Sequence, residues 1–234
     1  MITLVKICGL SSPEAVDAAL ESGADMVGFV FFPLSPRHVG FEAAKLLGAR
    51  VGSRALRVAL TVDATDHMLR DIVDALKPDL LQLHGRETPE RVAAIRSRFG
   101  LPVMKAIPIA VRADLSPIRL YANFADRMLF DARAPRDATR PGGLGRPFDW
   151  RLLQNIDLGI PFMLSGGLDA GNVAEALQIT RAPGVDVSSG VERAPGQKDP
   201  EKIRAFVRAA RQAADQLPAT PPRPEARKSH RGRG

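Results

Sequence analysis

Cys8, Arg37, Asp131 and two glycine turns are the residues of this chain whose types and positions could carry chemistry. The one cysteine in 234 residues follows the apolar run "ITLVKI" (2–7) and precedes a helical segment, "SSPEAVDAALESGAD" (11–25). Such strand-to-helix junctions are where α/β enzymes hold their reactive groups. Side chains alternate along a strand, so Leu4, Lys6 and Cys8 share a face, and a charged Lys6 makes that face a polar barrel mouth. A thiol beside an ammonium is expected to have a lowered pKa; a drop of about 1.5 pH units would make roughly half of it thiolate at pH 7. A lone cysteine is otherwise a small buried hydrophobe.

Asp131 ends a second apolar run, "RMLFDA" (127–132), where a buried acid needs partners. The segment after it, "RAPRDATRPGGLGRPFDW" (133–150), reads as a functional loop rather than a helix start. "SGGL" (165–168) and "SSGVE" (188–192) each follow a strand, and Gly166, Gly167, Ser189 and Gly190 could cradle a phosphate with backbone N–H groups, best at a helix N-terminus. The alternative is two tight turns that need positive φ. Arg37, in "PLSPRHV" (33–39), could clamp a carboxylate, or be a solvated surface charge. His84 reads as a structural histidine, and His38, His67, His84 and His230 have no metal-ligand spacing, so no metal site is expected. Lys105 is a possible Schiff-base amine, but an inward lysine paired with an acid is the preferred reading.

The elements that must position these groups alternate along the chain. Strands are predicted at 2–7, 26–31, 55–62, 80–84, 102–107, 127–132, 161–166 and 184–189, and helices at 12–23, 66–77, 88–99, 169–180 and 199–217, among others. Ser12-Pro13, Thr88-Pro89 and Asp199-Pro200 are helix starts, and Gly23 a helix stop. Eight short apolar strands in about 215 residues fit a single (β/α)8 TIM barrel over 1–217. A doubly wound sheet is the competitor, but "CGLSS" stands where its glycine-rich fingerprint would be. In a barrel the two glycine turns belong to units seven and eight, where phosphate commonly binds.

Composition narrows the classes. One cysteine excludes an intrachain disulfide and fits a reducing, cytoplasmic setting; no signal peptide or membrane-length apolar run is read. The net charge of +7 suggests nucleic acid, but +4 of it lies in "PATPPRPEARKSHRGRG" (218–234), a Pro/Arg-rich tail expected to be disordered. No nucleic-acid or membrane partner is therefore expected, and oligomeric state is not legible.

In order along residues 4–205, "KICGL", "GADMVGFVFFPLSPRHV", "LQLHG", "VMKAI", "LFDA…GGLGRPFDW", "LSGGLDAGNV" and "GVDVSSGVERAPGQKDPEKI" resemble the phosphoribosylanthranilate isomerases, (β/α)8 enzymes of tryptophan biosynthesis. The resemblance implies an Amadori rearrangement of a sugar-phosphate substrate, N-(5-phosphoribosyl)anthranilate, to 1-(2-carboxyphenylamino)-1-deoxyribulose 5-phosphate, with no cofactor or metal. It implies Cys8 as general base, Asp131 as general acid with a raised pKa, Arg37 on the anthranilate carboxylate, and the turns at Gly166-Gly167 and Ser189-Gly190 on the phosphate. Leu144 departs from the small hydroxyl residue common in the family. Other readings are a histidine-pathway aminoaldose isomerase, which would need acids where Cys8 and Lys105 stand, a Schiff-base aldolase through Lys105, and a noncatalytic binder using the tail.

Overall fold

The helix starts are built as their residues dictate. Ser12 and Thr88 accept from the backbone N–H groups of Ala15 and Arg91, each at 3.3 Å, and Asp199 accepts from Glu201 at 2.9 Å. A proline follows each cap, where its missing N–H costs nothing. Gly23, at φ +81°, turns the chain out of the first helix toward the next strand.

The computed structural model describes residues 3–135, 138, 140–143, 145 and 147–217. The expected tail, 218–234, and Leu144 lie outside these residues. In chain order the elements are β1 (Leu4–Cys8), α1 (Pro13–Glu21), β2 (Met26–Phe31), α2 (Phe41–Val51), β3 (Leu56–Thr61), α3 (Asp66–Leu76), β4 (Leu80–Leu83), α4 (Pro89–Phe99), β5 (Val103–Ile109), α5 (Ile118–Ala122) and β6 (Arg127–Ala132). They continue with β7 (Phe162–Leu164), α6 (Val173–Thr180), β8 (Gly184–Val187), a hairpin of β9 (Glu192–Ala194) and β10 (Gln197–Lys198), and α7 (Pro200–Gln216). Strands β1 to β8 pair in parallel, each with the next, and β8 returns to β1 in the register Leu4↔Gly184 and Lys6↔Asp186. This closure makes the sheet a barrel and excludes a doubly wound sheet. Among the described residues no helix is long and apolar enough to cross a membrane.

Alternation sorts each strand into two faces. Val5, Ile7, Phe29, Leu81, Val103, Ile107, Phe130 and Val185 face outward and pack with the helices in the main core. Met26, Val58, Leu80, Met104, Ala106, Leu129 and Met163 fill the barrel interior. Polar side chains lie above this apolar fill: Lys6, Gln82, Ser165 and Asp186 are all buried. Cys8 and Asp131 come next along the same inward-facing rows of β1 and β6, at the mouth.

Between β6 and β7 the described residues form a 3-10 turn at Trp150–Leu153, which seals the core with its buried Trp150 and Leu153, after the loop expected there. One expected element differs. The helix expected at 169–180 begins at Val173, because the Asp169 carboxylate accepts from Gly171 and Asn172 and forms a separate turn first.

Candidate active site

A cavity of about 510 Å3 opens at the C-terminal ends of the barrel strands. Cys8, Arg37 and Asp131 all line it, as do the turns after β7 and β8. Cys8, Val30, Leu60 and Phe32 give it an apolar wall.

Cys8 sits one inward step above Lys6, which has no exposed surface. The Lys6 Nζ lies 2.7 Å from Asp186 Oδ1, and the Ser165 hydroxyl donates to Asp186 Oδ2 at 3.1 Å. Gly28 of β2 makes this crowding possible: a Cβ there would stand 2.9 Å from Cys8 Sγ and 3.1 Å from Lys6 Nζ. The electrostatics reverse the sequence expectation. Burial pushes the Cys8 thiol above its ordinary value, and Lys6 pulls it down by less. The reason lies beneath: Asp186 already compensates the ammonium and itself works against a thiolate. Lys6 would be pushed down by burial, but Asp186 and Cys8 hold it above its ordinary value.

Asp131 is buried at the end of β6, across the mouth from β1. Its Oδ1 accepts the Ala132 N–H at 2.9 Å, and Oδ2 stands 3.2 Å from His84 Nε2. Gly142, in the loop after β6, lies against both: a Cβ there would come within 2.9 Å of the His84 Nε2 and collide with Asp131 Oδ2. His84, read from the sequence as structural, is thus the side chain beside Asp131 at the cavity wall. It follows Gln82 by two along one strand face.

Arg37 is not a free clamp. Its Nε and Nη2 donate to Glu192 Oε1 and Oε2 at 2.7 and 2.8 Å, and Nη2 also reaches the Gly143 carbonyl at 3.2 Å. Lys198 Nζ meets the same carboxylate at 2.8 Å and the Ser188 carbonyl at 2.8 Å. Burial opposes charge on Glu192, yet Arg37 and Lys198 hold its carboxyl below the ordinary range. Burial pushes Lys198 down to about 8 against the pull of Glu192. The Nη1 of Arg37 has no hydrogen-bond partner among the described residues. Sequence reasoning missed Glu192 and Lys198, which lie in the motif but far from Arg37 along the chain.

Lys105 is buried as expected and pairs with an acid, Glu87, at 2.8 Å. It does so on the outer side of β5, sharing the parity of Val103 and Ile107, and not inward toward the cavity. That placement removes the Schiff-base reading.

The glycine turns interlock. Gly166 and Gly167 have φ of +86° and +66°, and a Cβ on Gly166 would stand 2.5 Å from the Ala132 nitrogen. A Cβ on Gly190 would collide with the Leu168 carbonyl. Gly166, Gly167 and Ser189 line the cavity. Gly190 instead provides the clearance that lets the two turns close on each other. Neither turn is a helix N-terminus: α6 starts at Val173, and Ser189–Val191 is a single 3-10 turn. Any anion there would meet turn amides and hydroxyls. Among the described residues no group of three or more His, Cys, Asp or Glu side chains could hold a metal ion.

The sequence model of the family described as N-(5'-phosphoribosyl)anthranilate (PRA) isomerase matches residues 5–209. This chain belongs to the PRA isomerase family. A curated N-(5'-phosphoribosyl)anthranilate isomerase of Rhodopseudomonas palustris is 65% identical over 217 residues, covering 93% of this chain and 99% of its own. The crystal structure of phosphoribosyl anthranilate isomerase from Thermotoga maritima superposes with a TM-score of 0.81 at 34% identity, over 90% of this chain and 99% of that one. A crystal structure of a PRA isomerase in complex with reduced 1-(o-carboxyphenylamino)-1-deoxyribulose 5-phosphate superposes with a TM-score of 0.77 at 32% identity, over 90% of this chain and 99% of that one. The PRA isomerase frame therefore spans the whole barrel, and the seven motifs read from the sequence lie within or at the edges of the matched span.

Proposed function

We propose that this chain converts N-(5-phosphoribosyl)anthranilate to 1-(2-carboxyphenylamino)-1-deoxyribulose 5-phosphate, with Asp131 as general acid and Cys8 as general base. Asp131 gives its proton to the ring oxygen as the C1–O bond breaks, leaving a C1 iminium. Cys8, as thiolate, takes the C2 proton, and the freed pair forms the C1=C2 bond of an enolamine. In the enol-to-ketone step C1 is protonated and the C2 hydroxyl proton is lost, giving the C2 ketone. C2 is oxidised and C1 reduced within one substrate, so the chemistry requires no external electron acceptor.

The observation that carries this reading is the placement of one thiol and one carboxyl on β1 and β6, facing one cavity from opposite sides of the mouth. A base and an acid on opposite faces of the sugar are what the two proton transfers need. Because burial holds the free thiol in its protonated form, the thiolate has to arise in the complex, where the iminium develops positive charge beside it. The apolar wall of Val30, Phe32 and Leu60 suits the anthranilate ring. Arg37 would turn its Nη1, unpartnered among the described residues, to the carboxylate, and the amides and hydroxyls at Gly166-Gly167 and Ser189-Gly190 suit the phosphate. The lone thiol supports a reducing, cytoplasmic setting.

The test is loss of anthranilate-type fluorescence when the purified protein meets freshly made phosphoribosylanthranilate. Rapid conversion by the parent is expected, with losses of about 100-fold or more in kcat for Cys8→Ser and Asp131→Asn. Full activity in either variant would remove that residue from its role, and an inert, folded parent would remove the reaction.

A further inference from the structure

We infer that His84 is a positioning residue for Asp131: its Nε2–H holds the carboxyl in line for the substrate and stabilises the carboxylate left when the proton departs. This rests on the role proposed for Asp131.

Three observations converge. First, His84 Nε2 stands 3.2 Å from Asp131 Oδ2, close but not in the line of a hydrogen bond, with both side chains largely buried at the cavity wall. A donor at that distance can tighten onto the oxygen as charge develops. Second, the ring has a partner behind it. The amide nitrogen of Gln82 lies 3.1 Å from His84 Nδ1; with that nitrogen donating, Nδ1 accepts and the ring proton belongs on Nε2, toward the acid. Gln82 has no exposed surface, and its Oε1 has no hydrogen-bond partner among the described residues. Such a buried amide is costly unless its other end is needed.

Third, the backbone that carries the ring is braced on both sides. The buried Lys105 ammonium donates to the carbonyls of Leu83 and Gly85, at 3.3 and 2.8 Å, which flank His84. Its counter-ion Glu87 accepts from the N–H groups of Asp63 and Gly85 at 3.0 Å each, and the Tyr121 hydroxyl donates to the Glu87 carbonyl at 3.1 Å. The His84 N–H is itself tied to the Thr61 carbonyl at 2.8 Å. Lys105 therefore fixes the pitch of His84 from outside the barrel and has no contact with the reacting atoms.

No proton moves through His84 in this role. Asp131 passes its proton to the ring oxygen, and the charge that appears on Oδ1 and Oδ2 meets the Ala132 N–H, already bonded to Oδ1, and the His84 Nε2, 3.2 Å from Oδ2 and not yet aligned in a hydrogen bond. A donor held beside a developing charge needs only a small adjustment to stabilise it.

The experiment compares His84→Leu, His84→Gln and His84→Asn in single-turnover conversion of phosphoribosylanthranilate, alone and in an Asp131→Asn background. Gln carries an N–H donor to the place of the ring Nε2, whereas Asn reaches only the place of Nδ1. We expect His84→Leu and His84→Asn to lower the rate by roughly 10- to 100-fold, the size of one charge-assisted hydrogen bond, with His84→Gln recovering most of it. Binding of the reduced product, 1-(2-carboxyphenylamino)-1-deoxyribulitol 5-phosphate, should change by less than about threefold, and His84→Leu should cost nothing further once Asp131 is Asn. Unchanged rates in His84→Leu, equal losses in His84→Gln and His84→Asn, additive losses with Asp131→Asn, or weakened product binding would each overturn the inference. If His84→Leu fails to fold, the contrast between Gln and Asn decides it. An inactive parent would instead overturn the function, so the two failures are distinct.

Discussion

Cys8 and Lys6 show how little a neighbouring charge says without its own partner. The thiol lies beside an ammonium, yet Asp186 sits 2.7 Å from that ammonium and burial surrounds all three. Only thiolate is alkylated, and burial holds the Cys8 thiol above its ordinary value of 9.0, so reactivity should rise with pH up to that raised value. Iodoacetamide labelling of this single cysteine, followed by mass, is expected to be still accelerating at pH 9; levelling below pH 8 would show Lys6 prevailing over burial. Lys6→Met should slow the labelling further at any given pH. Glu192→Gln is the matching test for Arg37: with the fork half released, KM is expected to rise about 10-fold with a smaller change in kcat, measured by steady-state fluorescence.

At the scale of elements, the glycines are constraints that strands and turns place on each other. Gly28→Ala would push a methyl group toward both Cys8 Sγ and Lys6 Nζ from the facing strand β2. Its expected cost is about 1–3 kcal/mol in denaturant unfolding, with kcat falling more than KM rises. Gly166→Ala, at φ +86° and against the Ala132 backbone, should instead raise KM, since it displaces the turn offered to the phosphate. These clearances were not legible in the sequence, because each depends on which strand lies next door. The strands themselves were: the predicted runs fall on β1 to β8 within about two residues, since short β-branched apolar segments between capped helices leave few alternatives. Cys8, Arg37 and Asp131 could be picked out because each is a reactive or charged type at a strand end or in the loop after it. Lys105 was assigned the wrong face because alternation gives parity only once one residue of the strand is known to point inward. The contact of His84 with Asp131 was not legible, because what lies opposite a histidine depends on the fold and Asp131 is 47 positions away.

At the scale of the whole molecule, the barrel is held by an outer core against the helices and an inner fill capped by the Lys6–Asp186 pair. Breaking that pair leaves an uncompensated buried charge, so Asp186→Leu is expected to cost about 3–5 kcal/mol by urea unfolding. Replacing Lys6 and Asp186 together by apolar residues should cost less than either alone, and a double-mutant cycle would read the difference. The family match ends at residue 209 and the last helix among the described residues at Gln216. Deleting 218–234 should therefore leave kcat/KM within about twofold, whereas a function carried by the basic tail would vanish with it.

The inner fill also sets the traffic of the enzyme. Met26, Val58, Leu80, Met104, Leu129 and Met163 close the lower end, and the Lys6–Asp186–Ser165 group seals the level above. The cavity is a cul-de-sac: what enters by the mouth must leave by it. Departure of one molecule and arrival of the next cannot overlap, so product inhibition should be strictly competitive, and a bulky group that stalls at the mouth would block both directions at once.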